Sequence, residues 1–253
     1  MTNKLKYFIG NWKMFGDFGS FKIIRKINQF SFKSKNIIKN KRIVMCVPNT
    51  LIFFFSKKLK SKYISLGAQN CHYFENSGPF TGAVNASMIK KSGARYVILG
   101  HSENRAEGDT NQIIKKKILS ALKSNLTVIH CIGETFSEKQ KKKTFSVLRK
   151  QIKNSLEKKF NINKIIFAYE PVWSIGTNKT PSSNELKKNI KFIKGEIQKK
   201  FRIRSLPKVL YGGSVNGKNI SIFSGIDEID GFLIGGASLS SKKFIDIIKN
   251  YYK

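Results

Sequence analysis

The sequence predicts an α/β fold, a single (β/α)8 barrel formed by residues 1–253. Short apolar runs with the length of buried strands recur along the whole chain, and lysine-rich segments with helical spacing separate them. Strands that alternate with helices pair in parallel through right-handed crossovers, and eight such runs favour closure into a barrel. Because one barrel commonly needs about 250 residues and no Gly/Ser-rich linker divides the chain, we expect one domain.

Eight segments of four to six residues are rich in aliphatic and aromatic residues, the composition typical of buried strands. They are Tyr7–Trp12, Arg42–Val47, Ile64–Ala68, Tyr96–Leu99, Leu126–Cys131, Lys164–Ala168, Lys208–Tyr211 and Gly231–Ile234. The segments between them have the apolar spacing of helices that bury one face. The predicted helices are Phe21–Phe32, Leu51–Leu59, Ala86–Ser92, Gln112–Lys123, Phe145–Phe160, Glu185–Phe201 and Ile220–Ile226.

The charge of the chain is strongly positive, with 48 Lys and Arg against 15 Asp and Glu and a net charge of +33. Such a charge raises the possibility of nucleic-acid binding. The excess is almost all lysine, it is spread over many predicted helices, and no basic tail stands apart. We therefore interpret the lysines as solvated surface residues that steer anionic ligands, and we expect no specific nucleic-acid partner.

The sequence also bears on the location of the protein. No stretch approaches the length of about 18 apolar residues that crosses a membrane, and we expect neither a signal peptide nor a membrane partner. Three cysteines, Cys46, Cys71 and Cys131, are widely spaced and odd in number. This usage is typical of reduced thiols and predicts a cytoplasmic protein.

Polar residues and glycine pairs stand at the ends of five predicted strands. Asn11 and Lys13 end the first, His101 and Glu103 follow the fourth, and Glu170 follows the sixth. The last two strands are followed by Gly212-Gly213-Ser214 and Gly235-Gly236-Ala237-Ser238. Because the chemistry of barrels takes place at the carboxyl ends of their strands, we expect these residues on one face.

Glu170 is a candidate general base. It ends a buried strand, and Pro171 begins a segment of apolar and small residues that includes Gly176. This composition is typical of a lid that closes over a ligand, which would desolvate the carboxylate. The alternative is a strand-end Glu followed by an ordinary surface loop, and this segment alone does not decide between them.

The other strand-end residues each have a structural alternative. Lys13 is one lysine among many, but at a strand end it is a plausible cation for a phosphate or an oxyanion. His101 precedes Ser102 and Glu103, which suit the first turn of a helix, and a helix N-terminus favours a neutral, hydrogen-bond-donating imidazole. Paired glycines usually mark tight turns, although after the last two strands they match a phosphate site. No metal motif and no dinucleotide fingerprint is present, so we expect neither metal nor cofactor.

Taken together, the motifs resemble those of the triosephosphate isomerase family. They occur in the same order as in the family and extend over the whole chain. They are GNWKM (10–14), GAQN (67–70), FTG (80–82), LGHSE (99–103), CIGET (131–135), AYEPVW (168–173), IGT (175–177), YGGSV (211–215) and GFLIGGASL (231–239). The resemblance implies a TIM-barrel catalytic domain that interconverts dihydroxyacetone phosphate and glyceraldehyde 3-phosphate in glycolysis and gluconeogenesis.

The resemblance also implies roles for individual residues. Glu170 is the expected base, and His101 is the expected neutral electrophile. Lys13 and Asn11 are expected to contact the triose phosphate, with Glu103 supporting Lys13. No cofactor or metal is implied, because the substrate's own carbonyl acidifies the C–H bond. The expected phosphate ligands are Gly176, Ser214, Gly235 and Gly236.

Family members are usually homodimers, and the resemblance implies one here. The loop from Gln69 to Gly82 would lie beside the partner's active site, with Thr81 near the partner's Asn11 region. The chain departs from the family at Ala83 and Asn104, where the family usually has Glu and Arg. The other departures are Asp109 for Glu, Ser174 for Ala, Asn178 for Gly, and Pro181 after the lid, which spans Pro171–Lys179.

Two other functions remain open from the residues. Another phosphate-binding barrel enzyme, such as a sugar-phosphate epimerase, would explain the glycine turns but not Glu170, His101 and Lys13 together. A protein that binds nucleic acid or an anionic surface would explain the charge, and such binding should survive physiological salt.

Overall fold

A computed structural model describes residues 4–35, 39–177 and 179–253 and confirms the predicted barrel. Eight strands form a closed barrel in chain order, and every neighbouring pair, including the first with the last, is parallel. The strands are β1 Lys6–Asn11, β2 Lys41–Cys46, β3 Ile64–Ala68, β4 Tyr96–Leu99, β5 Thr127–Ile132, β6 Ile165–Tyr169, β7 Lys208–Tyr211 and β8 Gly231–Ile234. Four have the predicted bounds, and the other four shift by one residue.

Helices connect the strands and surround the barrel. They are α1 Phe21–Lys33, α2 Asn49–Lys58, α3 Ala86–Lys91, α4 Ser102–Ala106, α5 Asn111–Lys123, α6 Phe136–Gln140, α7 Thr144–Ser155, α8 Ser183–Phe201 and α9 Ser241–Tyr251. Among the described residues, no helix has the length and apolar content needed to cross a membrane.

Two predicted helices are wrong in type or length. Residues 220–226 form only a short 3-10 helix, Ile220–Phe223, instead of an α-helix. The helix predicted to reach Phe160 ends at Ser155, because Leu156 takes an extended backbone and is buried. The last helix, α9, was not predicted although its apolar spacing is regular, and it packs against α1.

The alternation of side chains along the strands divides the core into two layers. One set points into the barrel, where Ile9, Val44, Ile98 and Ile129 are completely buried and pack together. The other set, which includes Phe8, faces the helices and forms the larger cluster. Because side chains fill the interior, no channel runs through the barrel, and a ligand can bind only at its ends.

Two buried titratable groups, Asp230 at the amino end of the barrel and His130 in its wall, have polar partners within the fold. Asp230 accepts a hydrogen bond from the Val209 N–H at 2.9 Å and forms an ion pair with buried Lys194 at 2.6 Å. Burial also lowers the pKa of His130 to about 3, and its Nε2 lies 2.8 Å from the Ser155 hydroxyl. These groups stabilise the fold, and neither of them lines the cavity at the carboxyl ends of the strands.

Candidate active site

A cavity of about 910 Å³ opens at the carboxyl ends of the strands. Its lining includes all but one of the residues selected from the sequence: Asn11, Lys13, His101, Glu170, Gly176, Ser214, Gly235 and Gly236. The exception, Glu103, lines an adjoining cavity of about 330 Å³ that it shares with Asn11, Lys13 and His101. The barrel therefore brings residues from five strand ends to one place.

Glu170 follows the last residue of β6 and is almost completely buried. Its Oε2 accepts a hydrogen bond from the Ser102 N–H at 3.2 Å, whereas its Oε1 has no hydrogen-bond partner among the described residues. A Cβ at Gly212 would lie 2.8 Å from Glu170 Cγ, so the Glu170 side chain occupies space that a side chain at position 212 would fill. Glu170 is thus a desolvated carboxylate with one oxygen available to accept a proton.

His101 is held in one orientation at the start of α4. Its Nδ1 accepts a hydrogen bond from the Glu103 N–H at 3.2 Å, as an N-cap acceptor does. A nitrogen that accepts this bond carries no proton, so the proton of a neutral imidazole is on Nε2. Nε2 lies 3.4 Å from the free Oε1 of Glu170. A donor and a proton acceptor thus stand side by side in the cavity.

Lys13 has an unusual backbone, with φ of 55° in a non-glycine residue. The Asn11 side chain stabilises this turn because its Oδ1 accepts a hydrogen bond from the Lys13 N–H at 3.1 Å. The Lys13 ammonium in turn lies 2.5 Å from Glu103 Oε1. Asn11 and Glu103 therefore fix the position of a cation at the mouth of the cavity, where backbone strain is commonly found.

The glycine turns after β7 and β8 line the same cavity as Gly176 of the lid. Gly176 has a φ of 71° and its Cα is open to space, while Gly235 lies beside Lys13. A 3-10 helix, Gly236–Leu239, begins directly after Gly235. Backbone N–H groups from such turns bind anions, and Lys13 places a positive charge nearby. This side of the cavity is suited to a phosphate group.

Glu134 lies in the CIGET motif (131–135), and no role was predicted for it from the sequence. Glu134 is completely buried, and its carboxylate accepts hydrogen bonds from the Tyr169 hydroxyl and from the Trp173 indole at 2.9 Å. Burial raises the pKa of Glu134. The Lys139 ammonium lies 3.6 Å from the centre of the Trp173 ring. Glu134 therefore anchors the first part of the lid to the loop after β5, through a long-range contact that no local pattern indicates.

The departures from the family pattern have different surroundings. Asp109 forms an ion pair with Lys117 at 2.7 Å, and Lys117 also donates to Asn70, at the start of the 69–82 loop. Ala83 is exposed, and Asn104 is half-buried beside the smaller cavity. Asn178 lies outside the described residues.

No cluster of three or more His, Cys, Asp or Glu side chains suited to a metal occurs within residues 4–35, 39–177 and 179–253.

Comparison with known proteins agrees with this geometry. The family model described as triosephosphate isomerase matches residues 6–251. A triosephosphate isomerase from Dictyoglomus thermophilum is 41% identical, with 97% of this chain and 99% of the relative covered. One from Alkaliphilus oremlandii is 37% identical, with 94% and 96% covered. The crystal structure of the Bartonella henselae enzyme superposes with a TM-score of 0.88 at 34% identity, covering 98% of this chain and 99% of that one. The chain therefore belongs to the triosephosphate isomerase family.

Proposed function

We propose that this cavity interconverts dihydroxyacetone phosphate and D-glyceraldehyde 3-phosphate, with the roles that the resemblance implies for its residues. The observation that carries the proposal is the pairing of Glu170 and His101. A buried carboxylate with an unpaired oxygen lies 3.4 Å from an imidazole nitrogen that is fixed as a donor. Proton transfer next to a carbonyl needs one group of each kind.

The reaction moves one proton between two neighbouring carbons. Glu170 Oε1 takes a proton from C1 of dihydroxyacetone phosphate, and the C–H electron pair forms the C1–C2 double bond of an enediolate. Negative charge moves to the C2 oxygen, where the His101 Nε2–H donates a hydrogen bond. Glu170 then returns the proton to C2 while the O1 proton moves to O2, which leaves an aldehyde at C1. The substrate's own carbonyl acidifies the C–H bond, so the step needs no cofactor or metal.

The remaining residues bind the substrate and exclude water. Lys13 supplies positive charge to the phosphate and to the developing oxyanion, Asn11 supports its backbone and faces the substrate, and Glu103 positions its ammonium. The phosphate binds at the turns, and the lid covers it. The proposed phosphate ligands are Gly176, Ser214, Gly235 and Gly236.

The test is isomerisation of glyceraldehyde 3-phosphate in the presence of EDTA across a salt series. We expect rapid turnover, and we expect kcat/KM to fall as salt rises because the +33 charge assists capture of the dianionic substrate. Activity on pentose phosphates, or a requirement for metal, would favour the epimerase alternative. An inactive protein at every salt concentration would contradict the proposal.

We further propose that residues 1–253 form one catalytic domain that works as a homodimer in the cytoplasm. Free, buried cysteines at 46, 71 and 131 fit a reducing compartment. An aromatic cluster in the 69–82 loop, formed by His72, Tyr73, Phe74 and Phe80, is partly exposed and contains ring contacts of 4.4–5.0 Å. Met14, near the cavity, is 95% exposed. Exposed apolar groups of this kind are typical of interfaces, which supports the dimer.

We expect the chain to sediment as a dimer at physiological salt and to dissociate more readily at low salt, because each subunit carries +33. Phe74→Glu should shift the equilibrium towards monomer, since it places a charge in the aromatic cluster. Leu206→Glu is the matched control, because Leu206 is 58% exposed at the opposite end of the barrel. Sedimentation velocity measures both variants. A monomeric wild type at micromolar concentration, or equal dissociation of the two variants, would contradict the interface.

A further inference from the structure

The lid contains a completely buried hydroxyl, that of Ser174, which the proposed chemistry does not use. Three polar groups surround its Oγ. The Lys179 carbonyl oxygen lies at 2.5 Å, the Tyr211 hydroxyl at 2.9 Å and the Ser214 backbone nitrogen at 3.3 Å. The first belongs to the far end of the lid, Tyr211 is the last residue of β7, and Ser214 belongs to the loop after β7 that carries the proposed phosphate site. One side chain therefore joins the lid, the end of β7 and the loop after β7.

The direction of each hydrogen bond follows from the chemistry of the groups. A carbonyl oxygen only accepts, so Ser174 gives its single proton to the Lys179 carbonyl. The Tyr211 hydroxyl and the Ser214 N–H must then both donate to Ser174. Burial raises the pKa of Tyr211 to about 12, so Tyr211 keeps the proton that it donates. The Ser174 hydroxyl donates once and accepts twice, which is its full capacity.

Two neighbouring residues show that this junction depends on the local sequence. A Cβ at Gly213 would lie 2.2 Å from the Tyr211 hydroxyl and 2.6 Å from Ser174 Oγ, so only glycine leaves room for the contact. Pro181, just beyond the lid, has no N–H to donate. Within the described residues, the far end of the lid is joined to this junction by the bond from the Ser174 hydroxyl to the Lys179 carbonyl oxygen.

The Ser214 N–H has two competing partners. In this structure it donates to Ser174, but the proposed function needs it as a phosphate ligand, and Ser214 lines the cavity. A 3.3 Å bond to a neutral hydroxyl is weaker than a charge-assisted bond to a phosphate dianion. Phosphate should therefore draw the N–H away, after which Ser174 keeps Lys179 and Tyr211.

We propose that Ser174 is a positioning residue that couples the phosphate loop to the lid. When phosphate takes the Ser214 N–H, the lid loses its bond to that loop, and Ser174 keeps its bonds to Lys179 and Tyr211. This inference deepens the proposed function and rests on the phosphate site that the function assigns.

The first experiment follows the lid directly by fluorine NMR. The chain has only two tryptophans, Trp12 in the core and Trp173 in the lid, so 5-fluorotryptophan labelling gives two resonances. Titration with inorganic phosphate should move the Trp173 resonance of the wild type, and Ser174→Ala should reduce that response by at least half. Ser146→Ala is the matched control, because its hydroxyl also donates to a backbone carbonyl but lies exposed near the start of α7. A wild-type Trp173 that ignores phosphate, or an unchanged response in Ser174→Ala, would overturn the proposal.

The second experiment measures kinetics in a double-mutant cycle with Tyr211→Phe. Ser174→Ala should lower kcat by about tenfold, with a smaller change in KM, because it removes a buried hydrogen-bonded hydroxyl from the moving element. The double variant should lose much less than the product of the two single losses, since both act through one junction. If the loss in kcat of the double variant equals the product of the two single losses, the proposal is overturned. Thermal melting curves of each variant check that it is folded. Because the phosphate titration needs no turnover, it tests the coupling even where the isomerase assignment fails.

Discussion

Glu170→Gln is expected to lower kcat for isomerisation by about 10³-fold, within the range of 10²–10⁴ typical of a general base. The amide keeps the size of the side chain and an oxygen that can accept the Ser102 N–H. It has no basic oxygen to take a proton from carbon. KM should change little, because the expected phosphate ligands and Lys13 are untouched. Steady-state assays in both reaction directions measure the effect.

Glu107→Gln is the matched control for this substitution. Glu107 is exposed and lines only the smaller cavity, so the same change of group should leave kcat within twofold. Exchange of solvent deuterium into the substrate adds a direct readout, because a base that does not accept the proton cannot exchange it. A Glu170→Gln enzyme that retains a tenth of the activity, or exchanges at the wild-type rate, would show that Glu170 is not the base.

The sequence predicted the barrel well because each strand is a short apolar run with local boundaries. In a closed barrel both faces of each strand are buried, so an apolar composition is enough to identify a run as a strand. Ile64–Ala68 and Gly231–Ile234 are examples. The strand-end argument also grouped Glu170, His101 and Lys13, because parallel strands in a barrel end on one face. The wrong helix at residues 220–226 shows the limit of apolar spacing. That segment has helical periodicity, but the chain forms only a 3-10 helix before it enters β8.

What the sequence did not reveal depends on contacts between distant residues. The anchor formed by Glu134 and Trp173 spans 39 positions, and the bond from Ser214 to Ser174 spans 40. Neither has a local pattern, since serine is common in loops and a strand-end Glu has many possible partners. In the sequence, Ser174 is only a departure from the family at one lid position. Its three hydrogen bonds become visible only when the lid and the loop after β7 are placed side by side.

We also expect the proposed active site to depend on one cation, Lys13, among the 48 basic residues. The contribution of Lys13 can be separated from that of the field of the whole protein. Lys13→Met is expected to lower kcat/KM by about 10²–10³-fold, the loss typical when one donor to a developing oxyanion is removed. Methionine is of similar length and has no charge. The Glu103 carboxylate left behind is half exposed, so its loss of a partner should cost little stability.

Lys26→Met is the control for this prediction, since Lys26 is an exposed residue of α1. Both variants lose one positive charge from +33, so the net charge of the protein changes by the same amount in each. If Lys13 acts by direct contact, its loss should persist at high salt, where steering is screened and the control approaches the wild type. Equal losses in the two variants, or a Lys13→Met defect that disappears in high salt, would mean that the substrate senses only the field of the whole protein. The geometry argues for direct contact, because Asn11 and Glu103 hold the Lys13 ammonium in one place on a strained backbone.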